Sequence, residues 1–157
     1  FIMIEVLKLF FGSLFSKKPL EKTLVDSKWG KLICTYKQED IYFTWDTEYK
    51  FHNNNGEPIS INIDGDNIGP FSSTLQKTYQ IMDSIAELQS KIQTKIDLQF
   101  PEKKIDLKRD FNLEDIYIYL EEETNSVEYE FEFHSNDSEI MISVEFINDE
   151  IEAVEFY

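Results

Sequence analysis

One cysteine, two histidines and thirty-one carboxylates are the side chains on which chemistry could be built in this 157-residue chain. Nucleophilic catalysis needs a thiol or hydroxyl beside a base. Cys34 lies inside the apolar run WGKLICTY, where a cysteine is commonly buried and inert. His52 and His134 fall in different halves of the chain, and no feature brings either of them to Cys34. The three His and Cys side chains are too few for a zinc site unless carboxylates complete the set. There is no HExxH, no paired CxxC, no GxGxxG and no P-loop. Asn62, Asp64 and Asp66 have the alternation of a calcium loop, but Asn67 and Ser73 stand where that loop needs Gly and Glu. The stretch therefore reads as a turn. Glycoside chemistry needs two carboxylates in a cleft, one of them with a raised pKa, and spacing singles out no such pair. No catalytic residue, metal ligand or cofactor is expected.

The distribution of the carboxylates is more informative than any pair of them. Fifteen lie between Leu113 and Tyr157, a stretch without Lys or Arg. The rest of the chain holds sixteen acidic and fifteen basic residues, so all but one unit of the net −16 is concentrated there. Such a charge argues against nucleic acid, whose phosphates require clustered Lys and Arg. It suits a cationic protein partner, or plain solubility. Glu128, Glu130 and Glu132 alternate with Val127, Tyr129, Phe131 and Phe133, which places the three acids on one face of a strand. Glu145 belongs to the matching face of the following strand, and Tyr117 and Tyr119 to that of the preceding one. Carboxylates aligned on one sheet face repel one another, and a cationic partner would relieve them. Tyrosine is also enriched at interface hot spots. Tyr117, Tyr119, Glu128, Glu130, Glu132 and Glu145 are thus the candidate partner-binding residues.

Strands must position those side chains, and the pattern predicts seven. Three precede a helix: WGKLICTY, the alternation of Ile41, Phe43 and Trp45, and that of Ile59, Ile61 and Ile63. Four follow it, over 113–120, 127–134, 140–147 and 151–157. In the last, Ile151 breaks the parity of Val154 and Phe156, which a bulge near Glu152 would restore. Between the two sets, Leu75, Tyr79, Met82, Ile85, Leu88, Ile92 and Ile96 recur at helical steps. They predict one helix from Ser73 to Leu98, opened by a Ser73–Gln76 capping box and carrying a Glu87–Lys91 pair. Pro101 ends it. Lys103, Lys104, Lys108 and Arg109 follow, and their position suggests that they balance the acidic sheet within the molecule. Residues 1–18 are predicted to form an apolar helical segment, docked on the domain, lying at a membrane interface with Lys17 and Lys18 at the headgroups, or making a dimer contact. Ser16–Glu21 reads as a linker, and 24–157 as a single domain. Sequential strands usually pair, so the expected fold is α+β. It has an antiparallel sheet of about seven strands, in the order α-βββ-α-ββββ, with the long helix packed across it.

The layout resembles small acidic α+β proteins of bacterial origin, among them immunity proteins of polymorphic or contact-dependent toxin systems. The resemblance is carried by WGKLICTY followed by IYFTWDTEY, by GPFSSTLQKTYQIMDSI and by the closing ISVEFINDEIEAVEFY. It implies a non-enzymatic inhibitor that covers the active site of a basic toxin domain with carboxylates and aromatics. It transfers no individual residue. The single cysteine fits a reducing compartment, and the cytoplasm is the expected location. The alternatives are a membrane-associated accessory protein docking through residues 1–18, and a carboxylate metal binder.

Overall fold

The computed structural model describes residues 19–38, 40–50 and 56–157. Four strands come first: β1 (Leu20–Asp26), β2 (Gly30–Tyr36), β3 (Phe43–Lys50) and β4 (Pro58–Gly65). Each pairs antiparallel with the next. The β1–β2 turn is closed by Asp26, whose Oδ1 accepts the backbone N–H groups of Lys28 and Trp29 at 2.7 and 2.8 Å. Gly30 completes it at φ +74°, a value that glycine adopts without strain.

Three helices follow: α1 (Ser72–Asp83), α2 (Ile85–Gln99) and the single turn α3 (Leu107–Asp110). They carry the chain back so that β5 (Phe111–Glu121) enters the sheet parallel to β4. An antiparallel meander of β6 (Ser126–Ser135), β7 (Met141–Ile147) and β8 (Glu150–Phe156) completes the fold. The eight strands lie in sequence order in one sheet.

One face of this sheet is dry. Ile81 and Met82 of α1, Ile85, Ile92 and Ile96 of α2, and Leu107 of α3 are buried against alternate strand residues. Those include Ile61, Ile63, Ile116, Ile118, Phe131, Val144 and Phe146. Fully burying one such side chain contributes roughly 1.5–3 kcal/mol. A smaller cluster of Leu32, Cys34 and Trp45 continues the same face under β2 and β3. Cys34 is fully buried there, and burial pushes its thiol pKa up. All three helices pack on this face, and no described helix covers the other.

The structure corrects several expectations. The sheet has eight strands and is mixed, not seven antiparallel ones. Residues 66–110 form a crossover long enough to return the chain to the start of the sheet, and such a connection delivers a parallel strand. β1 begins inside the stretch read as a linker. Its edge position leaves Leu20, Leu24 and Val25 exposed, so burial imposes no clean alternation. The single long helix is two. The Ser84 hydroxyl donates to the Gln80 carbonyl at 2.8 Å, and its backbone leaves helical geometry at φ −115°, ψ 12°. The break lets α1 follow β4, β5 and β6 while α2 reaches β8.

No capping box opens α1. Instead the buried Thr74 hydroxyl bonds the Asp64 carbonyl at 2.7 Å, fastening the helix to β4. Lys91 pairs with Glu150 at 3.1 Å rather than with Glu87. The bulge in β8 lies at Glu152, which is unpaired between Ile151↔Phe146 and Ala153↔Glu145. Asp66 does make a turn, its Oδ1 accepting the Ile68 and Gly69 N–H groups. The helical segment expected over 1–18 and His52 lie outside the described residues.

Candidate functional site

Residues directly opposite each other in a sheet share a face, so the register decides what the uncovered face presents. Glu130 is opposite Tyr117 on one side and Glu145 on the other. Tyr119 is opposite Glu128, and Asp115 is opposite Glu132. All six candidates from the sequence therefore meet on this face. The parallel β4–β5 pairing adds others, setting Ser60 beside Asp115 and Asn62 beside Tyr117. Asp46, opposite Asn62, extends the carboxylates onto β3. Strands β4–β8 contain no Lys or Arg at all.

The face is ordered by neutral donors. Tyr119 donates its hydroxyl to Glu145 at 3.1 Å, and Ser126 donates to Glu128 at 3.1 Å. Ser143 donates to Glu130, and the Asn62 amide to Asp115 at 3.2 Å. Glu128 is 8% exposed, so of the predicted acids it is the least available to a partner.

The electrostatics show the strain of this arrangement. Burial, and then Glu130 and Asp115, hold the Glu132 carboxyl above its ordinary range. Burial and Asp115 do the same to Asp46, and burial raises Asp64. Burial and the surrounding carboxylates push the Tyr117 phenol up to about 12. Tyr119 is raised by burial, then by Glu145. Both tyrosines thus stay neutral donors throughout the physiological range.

The ion pairs draw on Lys and Arg residues that lie off β4–β8. Lys28 pairs with Asp83 and Lys77 with Asp149, while Arg109 forks onto its neighbour Asp110 at 2.6 and 2.8 Å. Within the basic stretch 103–109, Arg109 is thus paired with Asp110 and not with the acidic face. Lys103 instead lies over the Phe156 ring, 4.5 Å from its centroid. At the margin, the His134 Nδ1 lies 3.8 Å from Glu114. Among the described residues no three His, Cys, Asp or Glu side chains converge as metal ligands. No described helix is long and apolar enough to cross a membrane.

Asp46, Asp64 and Asp115 are not among the six partner-binding candidates, and the sequence raises Asp64 only for the rejected calcium loop. Asp64 shares the alternation of Ser60 and Asn62, which was the available signal. Asp115 shares the parity of Tyr117 and Tyr119, but the adjacency of β4 and β5, which joins Asp46 and Asp64 to the others, has no signal in the sequence. No protein-family model, curated protein or solved structure matches the chain.

Proposed function

We propose that the protein is a non-catalytic binding module whose uncovered acidic sheet face receives a cationic protein, in the manner of an inhibitor that neutralises a basic toxin domain in the cytoplasm. The observation that carries this reading is the face itself. Half-buried carboxylates stand directly opposite one another, as in Asp115↔Glu132 and Glu130↔Glu145, with no Lys or Arg on five successive strands. Like charges so placed are destabilising, and a partner's cations would remove that cost on binding. Tyr117 and Tyr119 supply flat contact area with polar ends, which suits a protein interface. The carboxylates lie on an open sheet face, whereas a catalytic pair works in a cleft that excludes water.

The test uses the full chain as bait in lysate of its native cell, at low and then moderate salt, followed by purification of whatever basic protein is retained. A substitution of Glu130, Glu132 and Glu145 together to Gln is compared with the parent by calorimetry. The reading expects slower association, weaker affinity and a flatter salt dependence for the variant. A purified partner whose affinity is unchanged by all three substitutions would show that this face is not the contact.

A further inference from the structure

The acidic face is modest in size. Five strands at about 4.8 Å spacing and eight residues at about 3.4 Å give a projected area of roughly 650 Å². A standard interface buries about 800 Å² on each partner. A partner that covers this face meets its rim, and one rim carries a groove.

At the end of the sheet where β4 leads into α1, a groove of about 400 Å³ opens to solvent. Its floor includes Phe71 and Leu120. Tyr42, which is 72% exposed, also lines the groove. Every ionisable group in the lining apart from that phenol is a carboxylate, Asp64 and Glu121–Glu123. The loop that carries Phe71 is fixed in place. Gly65 bridges to Pro70, and a Cβ on Gly65 would lie 2.3 Å from the Gly69 carbonyl oxygen, so the loop closes tightly on the strand. The Phe71 N–H donates to the Asp64 carbonyl at 3.1 Å, which holds Phe71 beside the strand end.

Asp64 links the groove to the acidic face. It shares the parity of Ser60 and Asn62, and its Oδ2 accepts the Leu120 N–H at 3.2 Å. Its Oδ1 takes no hydrogen bond from any described residue. A half-buried carboxylate with one free oxygen, beside aromatic and aliphatic walls, matches a planar cation on an apolar stem. Guanidinium meets this better than ammonium, because it forks onto carboxylate oxygens and stacks on aromatic rings.

We propose that this groove seats an arginine side chain of the cationic partner, as the anchor at the rim of the acidic face. The proposal rests on the binding-module reading above. The test is an NMR titration of the ¹⁵N-labelled full chain with N-acetyl-arginine methylamide, with the neutral citrulline analogue as control. The Leu120 amide reports directly on Asp64. The expected result is a saturable shift of the Leu120 and Phe71 amides by the arginine probe, about tenfold weaker binding of citrulline, and a similar loss in Asp64→Asn. Asparagine still accepts from Leu120, so the variant keeps its fold. Tyr42→Ala, at an exposed position, is the second variant and also weakens the probe.

Equal shifts from arginine and citrulline overturn the proposal, as do shifts confined to the Tyr117 and Glu130 amides. With the partner in hand the two readings separate. Affinity lost in the Glu130, Glu132 and Glu145 variant but kept in both Asp64→Asn and Tyr42→Ala overturns the arginine seat alone. Affinity kept in all three variants overturns the binding face beneath it.

Discussion

Glu132→Gln should stabilise the free protein, which is unusual for a substitution in the middle of a central strand. Glu132 is directly opposite Asp115 and shares its face with Glu130 and His134. Opposed side chains in a sheet interact by roughly 0.2–1 kcal/mol, with like charges unfavourable. Removing the Asp115 and Glu130 repulsions, less the attraction of His134, leaves a gain of about 0.5–1 kcal/mol. For a domain of this size 1 kcal/mol moves Tm by about 2–4 °C, so a rise of about 1–4 °C is expected at pH 7 and low salt.

The pH dependence follows from the direction of the Glu132 shift. Its carboxyl is raised in the folded protein, so the folded state holds the proton more tightly than the unfolded one. The cost, set first by burial and then by the Glu130 and Asp115 charges, is absent below the ordinary glutamate range. It grows as pH rises through the raised value and is complete above it. The advantage of Gln should therefore vanish in acid, where the parent is protonated. It should shrink in 1 M salt, where the Debye length is about 3 Å. Thermal melts of parent and variant across pH and salt make the measurement. A lowered Tm at pH 7, or an equal gain in acid, would refute the repulsion argument.

Three further outcomes are expected. Asp149→Asn keeps the left-handed turn conformation at φ 64° but loses the Lys77 ion pair and the charged acceptor of the Tyr129 hydroxyl. Burial raises the Asp149 carboxyl, but Lys77 and Tyr129 together outweigh it and leave the pKa lowered. The Asp149 side chain is 63% exposed, so solvent screens the pair, and urea titrations should show a deficit of about 0.5 kcal/mol at neutral pH, which disappears as pH falls through that lowered value. Gly65→Ala drives a Cβ to within 2.3 Å of the Gly69 oxygen and 2.6 Å of the Pro70 Cα, both backbone atoms. The urea midpoint should fall by the equivalent of roughly 1–3 kcal/mol. Cys34, fully buried with its thiol pKa raised by burial, should react with a disulfide reagent only at the rate of opening, and fast once urea unfolds the chain.

Much of the second half of the fold is written in local pattern. Val127, Tyr129, Phe131 and Phe133 alternate with acids because one face of β6 must leave water and the other need not, and that requirement is local to the strand. The same reasoning located the bulge at Glu152, since a strand cannot change the parity of its buried residues without an extra one. The six candidates on the acidic face follow from alternation and hairpin connection alone, and the register assembled them accordingly.

Where burial was weak or the cause was distant, the pattern failed. β1 is an edge strand with exposed apolar residues, so no alternation marked it. The apolar stripe from Leu75 to Ile96 is continuous, and only contact of the two halves with different strands of the sheet decides the break at Ser84. The basic stretch 103–109 adjoins the acidic strands in sequence, yet the fold turns Arg109 to Asp110 and Lys103 to Phe156.

Composition and period two by themselves determined that the chain forms an acidic sheet with one dry face and one charged face. Hydrophobic burial acts residue by residue along a strand and can be read there. Only the tertiary structure decided that β4 and β5 lie side by side and parallel. That adjacency depends on where three helices return the chain, a property of no single segment. It brings Asp46 and Asp64 to the carboxylates of β5–β8 and sets the groove at their rim.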